Sequence, residues 1–330
     1  MIIDLGVDLG NSLTKSQDTI IHSNYEGPYK TKPSYVSSYL FFNDTYYAPS
    51  VGNPFYVKDK TKDERAIVLT LFSIASQLIT KYAEKFNNDR NEIQKALNNV
   101  NAIALGVGLP IAHYKKTYIE NLITYYKQYF GDGIHFVCDD YIFNLSLALC
   151  RVYPQGAAAV FCKANKMAAQ SNVYYVVDIG SYTVDVGQII DGSPAKDRYS
   201  LELGTIPMSD MIIEKINYDF DIDIDADIVQ KVLRNEHTIL QPEVINVIKS
   251  LSQKHSDDII NSLRQRKILF DSYPCLFIGG GALLLKPFLL QNSLISRCKE
   301  STQFITDIRA NAKAYARLIR EERKLLAQKK

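Results

Sequence analysis

Two short segments of the chain share one pattern of apolar and polar positions. In each, an apolar run leads into an Asp, one apolar residue, a Gly and then small polar residues. The first copy, 7–15, reads V-D-L-G-N-S-L-T-K, and the second, 177–185, reads V-D-I-G-S-Y-T-V-D. The apolar runs predict buried strands over 2–9 and 174–177, each followed by a tight loop and a return strand. The two halves of the chain therefore repeat one another, with Asp8 and Asp178 as equivalents.

The rest of the chain alternates helical and extended patterns, which is typical of an α/β protein. Compact apolar runs predict strands over 100–107 and 275–278, and 141–153 is apolar enough for either a helix or a strand. Apolar residues spaced by three and four predict helices over 61–86, 115–130 and 242–264. A further Ala-rich helix is predicted from 308 onward, and its charged final part, 320–330, is expected to fray.

Length and composition limit the class of protein. A chain of 330 residues suits two domains, which we place at 1–157 and 158–307, with helix 308–330 packing back on the first domain. The net charge of +2 argues against wholesale nucleic-acid binding, so no direct contact with DNA is expected. We expect no membrane span, because no apolar run reaches about 18 residues. With no apolar signal core after Asp4 and Asp8, a cytoplasmic protein is predicted.

The five cysteines are widely spaced and form no C-x-x-C pair. An odd number without metal-ligand spacing predicts neither a disulfide framework nor a zinc site. We expect these residues to be buried free thiols.

The repeated loops have the chemistry of a phosphate site. Gly10 and Gly180 allow the backbone to approach phosphate oxygens closely, and turn N–H groups form an anion-binding nest. Lys15, directly after the first loop, supplies a point charge. Further donors come from the loop side chains, namely Asn11, Ser12, Ser181 and Thr183.

Two carboxylates and a glycine triplet complete the candidate site. If Asp8 and Asp178 face one another, they repel unless a cation lies between them, and hydrated Mg²⁺ suits such a pair because it takes few direct protein ligands. Gly279-Gly280-Gly281 follows a predicted strand and precedes a helix. Glycines at that place let the backbone lie along a sugar, a base or a phosphate, and the helix N-terminus favours negative charge.

As a set, these motifs resemble those of the actin-like ATPase superfamily, and most closely those of plasmid-segregation actins of the ParM/StbA type. The two loops resemble the first and second phosphate motifs, and 278–282 resembles the adenosine motif. The segments 152–159 and 307–315 resemble the two connections between the domains of that fold. The G-x-G-L-P end of the strand at 106–110 and the A-N-A-x-x-Y run at 310–315 also match the ParM type. Tyr182 departs from the pattern, because smaller or basic residues are common in the second loop.

The resemblance implies an α/β, actin-like (ribonuclease H-like) fold, in which two similar domains with mixed five-stranded sheets flank a nucleotide cleft. It implies an Mg²⁺-dependent ATPase in which Asp8 and Asp178 hold the hydrated metal and Lys15 contacts the β- and γ-phosphates. Gln155 would orient the attacking water, since a Gln is a poor base and acts by positioning. Both loops, including Tyr182, and the glycines 279–281 would contact the nucleotide, which is ATP, with GTP left open.

The function implied is a filament-forming ATPase that segregates plasmid DNA. Its partners would be further copies of itself and a DNA-binding adaptor protein of the ParR type. The alternative is a small-molecule kinase of the same fold, which would need a general base in the cleft, such as Asp178 or Asp185. A chaperone ATPase and a non-hydrolysing nucleotide scaffold fit less well: the chain has no predicted peptide-binding domain after the Gly triplet, and the three candidate catalytic residues are intact.

Overall fold

A computed structural model of the protein describes residues 1–52, 65–162 and 171–329. The chain forms two compact units, one made of Met1–Cys162 with Arg309–Lys330 and the other of Lys163–Ile308. Each unit is a mixed α/β structure with its own sheet and its own hydrophobic core. The predicted fold class is confirmed.

Nine strands and five helices build the described part of the first unit. The strands are β1 Ile2–Leu9, β2 Leu13–Lys15, β3 Ile20–His22, β4 Tyr25–Tyr29, β5 Leu40–Phe42, β6 Thr45–Pro49, β7 Ala102–Leu109, β8 Ile134–Cys138 and β9 Tyr141–Pro154. The helices are α1 Arg65–Lys85, α2 Arg90–Asn98, α3 Lys116–Phe130, α4 Ala157–Cys162 and, at the end of the chain, α10 Ala310–Gln328. The helix predicted over 61–86 is confirmed from Arg65, while 61–64 lie outside the described residues.

The first sheet is larger than predicted. Its strand order is β3-β2-β1-β7-β9-β8-β5-β6-β4, so it has nine strands where five were expected. The cause is β9, which is 14 residues long and whose two ends pair with different neighbours: residues from Ser146 onward run parallel to β7, while its first residues pair antiparallel with β8. The ambiguous segment 141–153 is therefore a strand, and it joins a four-stranded extension to the five strands β3-β2-β1-β7-β9.

The C-terminal helix α10 packs on β1 and β7 and on α4. The helix is continuous to Gln328, through most of the charged segment 320–330. Arg323 donates two hydrogen bonds to the nearly buried carboxylate of Asp4 in β1, at 2.7 and 2.8 Å. On the next strand but one, Arg151 and Tyr153 both bind the Glu322 carboxylate, and burial followed by that carboxylate raises the pKa of Tyr153. These contacts anchor the charged end of the helix.

The second unit has five strands and five helices among its described residues. The strands are β10 Val173–Ile179, β11 Val184–Ile190, β12 Ser193–Leu201, β13 Cys275–Ile278 and β14 Thr302–Phe304, in the order β12-β11-β10-β13-β14. The helices are α5 Thr205–Phe220, α6 Ala226–Leu233, α7 Pro242–Gln265, α8 Gly280–Gln291 and α9 Ser293–Arg297. Here the predicted five-stranded mixed sheet is confirmed. The turn at Asp191-Gly192, with positive φ at both residues, joins β11 to β12 as a tight hairpin.

Two composition-based expectations bear on the core. Helix α1 is long and apolar enough to cross a membrane by length and composition alone, but 72% of its most apolar 18-residue stretch is buried inside the protein, as in a core helix. Four cysteines are buried free thiols, as predicted, namely Cys138, Cys150, Cys275 and Cys298. The side chain of the fifth, Cys162, lies outside the described residues. Burial raises the pKa of Cys150 to about 12, so this thiol stays protonated.

Candidate functional site

The first half of the candidate site lies where β1 and β9 end. Asp8 in β1 pairs across the hairpin with Lys15 in β2, and the Lys15 ammonium lies 3.7 Å from the Asp8 carboxylate. Gln155 directly follows β9, and its side-chain Nε2 donates to Asp8 Oδ1 at 2.7 Å. Because β1, β7 and β9 are parallel, their carboxyl ends share one edge of the sheet, as at the ligand sites of other α/β sheets. Three predicted site residues thus meet although 147 positions separate Asp8 from Gln155.

The turn between β1 and β2 contains Gly10, Asn11 and Ser12. The N–H of Gly10 donates to the Asp8 carbonyl at 3.0 Å, which makes the turn tight. A Cβ on Gly10 would lie 2.6 Å from the carbonyl oxygen of Leu13 and 3.2 Å from the Lys15 ammonium. A glycine is therefore required at position 10, because the Leu13 carbonyl lies too close for a side chain there. Its lack of a side chain also allows the Lys15 ammonium to lie over the turn.

A serine that sequence analysis missed braces this turn. Ser23, just after β3, donates from its hydroxyl to the Gly10 carbonyl at 2.6 Å and from its N–H to the Ser12 carbonyl at 2.9 Å. Its hydroxyl also bonds the buried Thr14 hydroxyl at 2.8 Å. These bonds occupy the carbonyls on the β3 side of the turn. No sequence pattern marks Ser23, because the contact depends on how β3 folds back along β2.

A glutamine of the core helix holds the hairpin that carries Lys15. Gln77 in α1 is nearly buried, and its Oε1 accepts from the Ser16 hydroxyl and from the Asp18 N–H, each at 2.8 Å. Its Nε2 donates to the Asp18 carboxylate at 2.6 Å. The backbone directly after Lys15 is thereby fixed to the core of the first unit.

The second half of the candidate site repeats this backbone arrangement. Asp178 in β10 pairs with Asp185 in β11, as Asp8 pairs with Lys15. The two half-sites therefore match in register but differ in charge, because a carboxylate stands where the first half has an ammonium. The Thr183 hydroxyl donates to the Asp185 carboxylate at 2.9 Å, and the Gly180 N–H donates to the Thr183 carbonyl at 2.8 Å, which closes the loop.

The start of helix α5 supports the second loop. The N–H groups of Gly204, Thr205 and Ile206 donate to the carbonyls of Tyr182, Gly180 and Ser181, at 3.0, 3.2 and 2.7 Å. Sequence analysis missed Gly204, where any Cβ would collide with the backbone of Ser181 and Tyr182. Three successive carbonyls are thus held on one side of the loop.

The glycine triplet lies beside Asp178. Strand β13 runs parallel to β10 with Ile278 opposite Asp178, so Gly279 follows at the same edge. A Cβ on Gly279 would lie 2.5 Å from the Asp178 carboxylate, and its φ of +99° itself favours glycine. Gly281 packs against Ile179, where a Cβ would lie 2.6 Å from the side chain, whereas Gly280, the first residue of α8, has nothing within 4 Å of its Cβ position.

Comparison with known proteins agrees with this architecture. Residues 176–291 match the family model described as the C-terminal domain of archaeal actin homologue MreB-like proteins. No curated protein gives a significant match. Solved structures match over nearly the whole chain. One is Ta0583, an archaeal actin homolog in complex with ADP, at a TM-score of 0.70 and 17% identity, covering 97% of this chain and 100% of that one.

Two ParM structures are also similar. ParM of Bacillus thuringiensis with ATP matches at a TM-score of 0.62 and 14% identity, covering 98% of this chain and 99% of that one. ParM of Clostridium botulinum, in a 15-stranded filament, matches at 0.65 and 17%, covering 96% and 98%. The chain therefore has the actin-like fold, and the resemblance to the actin-like ATPase superfamily, with similarity to ParM-type proteins, is confirmed.

Proposed function

We propose that the protein is an Mg²⁺-dependent, filament-forming ATPase of the cytoplasm that segregates plasmid DNA through a DNA-binding adaptor protein of the ParR type. The observation that supports this most directly is the meeting of Asp8, Lys15 and Gln155 at the ends of β1 and β9, within an actin-like fold. These three side chains supply a carboxylate, an ammonium and an amide at one place. That set suits a metal-bound triphosphate and the water that attacks it.

The residues of both half-sites fit a nucleotide. In the first, Lys15 would contact the β- and γ-phosphates, and the turn at Gly10, Asn11 and Ser12 would face them. In the second, Ser181, Tyr182 and Thr183 would do the same on a loop whose carbonyls are held by the start of α5. Gly279, Gly280 and Gly281 would lie along the nucleoside, and the open Cβ position of Gly280 suits close contact there. ATP is the proposed nucleotide, and GTP is the competitor to test.

The carboxylates suit a hydrated divalent cation better than a fully protein-bound one. Within the described ranges, no three His, Cys, Asp or Glu side chains form a metal-binding group. Asp8 and Asp178 would therefore hold Mg²⁺ through its water shell, as this ion prefers. When bound, the ion neutralises charge on the phosphates. The Lys15 ammonium lies 3.7 Å from the Asp8 carboxylate, and this ion pair helps to hold the Asp8 side chain in place.

Gln155 is proposed to orient the attacking water. Its side-chain amide is held by Asp8 at 2.7 Å, and its backbone N–H donates to the Leu109 carbonyl at 2.8 Å. A glutamine held at its backbone and at its side-chain nitrogen can fix a water by hydrogen bonding, but its amide takes no proton at neutral pH. Its contribution is therefore positioning, which is worth orders of magnitude in rate when the geometry is exact.

Assembly and DNA segregation rest on likeness. The solved ParM of Clostridium botulinum is a filament, and similar chain folds cover nearly the full length of this protein. We propose that this chain likewise polymerises with itself, and that it reaches DNA only through the adaptor, since its net charge is +2. No membrane partner is proposed.

The decisive experiment follows light scattering, pelleting and phosphate release together, with and without Mg-ATP. Nucleotide-dependent scattering that decays as phosphate appears supports a dynamic filament. Phosphate release without assembly at any concentration contradicts the filament, and phosphorylation of an added sugar acceptor would instead establish the kinase. Parallel measurements with Mg-GTP show whether ATP or GTP is preferred, and measurements with EDTA show whether the activity needs the metal.

Two variants test the site itself. Asp178→Ala should lose most turnover and keep its circular dichroism spectrum, because the residue is proposed to act on the metal. Gln155→Ala should slow hydrolysis by at least about tenfold with little change in nucleotide Kd, because the amide acts on the water. Unchanged turnover in Asp178→Ala, or equal losses of binding and hydrolysis in Gln155→Ala, would contradict these assignments.

A further inference from the structure

Two motifs singled out in the sequence have no role in the proposed reaction, and the structure brings them together. One is Gly106-x-Gly108 near the end of β7, and the other is the A-N-A-x-x-Y run at the start of α10. Gly106 and Gly108 are two positions apart and so point to the same face of the sheet. Both lie against Tyr315 of α10: a Cβ on Gly106 would lie 3.0 Å from Tyr315 Cβ, and one on Gly108 would lie 2.6 Å from Tyr315 Cζ.

Gly108 also lies close to the side chain of Gln155. A Cβ on Gly108 would lie 2.9 Å from Gln155 Cγ, so the Tyr315 ring and the stem of Gln155 share the space above Gly108. Tyr315 is fully buried and stacks on Tyr153, two residues before Gln155, with ring centroids 5.7 Å apart. The Tyr315 ring and the Gln155 side chain therefore lie next to one another above Gly108.

Asn311 lies one helical turn before Tyr315 and holds the backbone of the turn at Gln155. Its Oδ1 accepts a hydrogen bond from the Gly156 N–H at 2.9 Å, and the bond is buried. That N–H belongs to the peptide group that joins Gln155 to Gly156, and the Gln155 carbonyl of the same group accepts from the Ala157 N–H at 2.9 Å. Both polar groups of one peptide plane are therefore bonded, and Asn311 is the side chain that sets its orientation.

We propose that Asn311 is a positioning residue for Gln155, acting with the Tyr315 ring, so that the start of the C-terminal helix sets the direction of the water-orienting amide. Asn311 lies three residues after Ile308, where the chain leaves the second unit. The turn at Gln155 is therefore held by the segment through which the chain returns to the first unit. The inference rests on the proposed function of Gln155.

The test compares Asn311→Ala with Asn311→Asp, which keeps an oxygen acceptor at the same place. In Asn311→Ala, kcat for phosphate release should fall about tenfold or more, while nucleotide Kd changes little. Asn311→Asp should recover most of the loss. Ile319→Val is the matched control, since it removes a buried methyl from the same helix two turns away, and its kcat should stay near that of the parent.

A double-mutant cycle decides whether Asn311 acts through Gln155. If it does, adding Asn311→Ala to Gln155→Ala costs little further rate. Equal losses in the two backgrounds would overturn the proposal, as would a similar fall in kcat for Ile319→Val or a parallel weakening of nucleotide binding in Asn311→Ala.

Amide hydrogen exchange at Gly156 separates this proposal from the proposed function. Loss of protection in Asn311→Ala, but not in Ile319→Val, supports the hydrogen bond, and unchanged protection overturns it, whatever the enzyme activity. A parent protein that releases no phosphate would overturn the ATPase and with it any role in water positioning, while the exchange result still decides the contact.

Discussion

Gly6 is the position where a single methyl group would most directly test how the C-terminal helix is seated. A Cβ there would lie 2.7 Å from the backbone N of Ala316 and 2.9 Å from the carbonyl carbon of Ala312, and closer still to the Ala312 oxygen. All three are helix backbone atoms, which cannot swing aside as a long side chain can. Ordinary contact begins at 3.4 Å, so Gly6→Ala must separate β1 from α10 by about 0.7 Å at the Ala316 N alone.

The cost follows from the packing on both sides. Over-packing of a well-filled core costs about 1–3 kcal/mol, and the reduced freedom of the unfolded chain returns about 0.4–1 kcal/mol. At the middle of both ranges the net loss is about 1.3 kcal/mol, so we expect a loss of about 1–2 kcal/mol. In a unit of this size each kcal/mol lowers Tm by about 2–4 °C, so Gly6→Ala should lower the Tm of the first unit by about 2–8 °C.

The assay is thermal unfolding followed by circular dichroism, with hydrogen exchange to show which unit opens. Gly280→Ala is the matched control, because nothing lies within 4 Å of its Cβ position, and it should leave Tm unchanged or raise it slightly. Exchange should increase in α10 and β1 of Gly6→Ala. A Gly6→Ala protein that melts with the parent, or one no less stable than Gly280→Ala, would refute the close approach of helix and strand.

Three further changes have defined outcomes. Asp4→Asn weakens the two hydrogen bonds from Arg323 and should cost about 1–2 kcal/mol in urea unfolding, whereas Asp219→Asn, which breaks an exposed pair with Lys215, should cost little. Burial lowers the pKa of His255 below its ordinary 6.5, so the unfolded chain binds a proton at this residue at a higher pH than the folded chain does. The free energy of unfolding should therefore decrease as the pH falls below 6.5. His255→Gln should flatten that decrease when thermal unfolding is measured at a series of pH values. Lys15→Ala should weaken nucleotide binding about tenfold or more by calorimetry, with Lys30→Ala unchanged.

The local elements could be predicted because their signals are local. The repeated loops are predicted from an apolar run that ends in Asp and Gly. The Asp191-Gly192 hairpin is predicted from two residues that tolerate positive φ. The helices over 116–130 and 242–265 follow from their apolar spacing. The apolar pattern of segment 141–153 suits a helix and a strand equally well. Only its pairing with β7 on one side and β8 on the other makes it a strand.

The candidate site was predictable in its residue types and less so in its supports. Asp8, Lys15, Gln155, Asp178 and the glycines could be chosen because each carries chemistry and stands in a recognised motif. Ser23, Gln77 and Gly204 could not, because an ordinary serine, glutamine or glycine acquires its role only from what the folded chain places beside it. Asn311 stood in a motif, yet its bond to Gly156 spans 155 positions and leaves no mark in the spacing.

By itself, the sequence determined the α/β class, the half-against-half repeat and the two loops, since these depend on periodicity and on the backbone needs of a few residues. Only the tertiary structure decided the nine-stranded extent of the first sheet, the anchoring of the charged helix end and the meeting of Gln155 with Asp8. The physical reason is that strand pairing and ion pairing are contacts between distant segments. Their free energy depends on which surfaces meet after folding. The sequence alone therefore does not distinguish a charged residue that stays exposed from one that forms an ion pair with a distant segment.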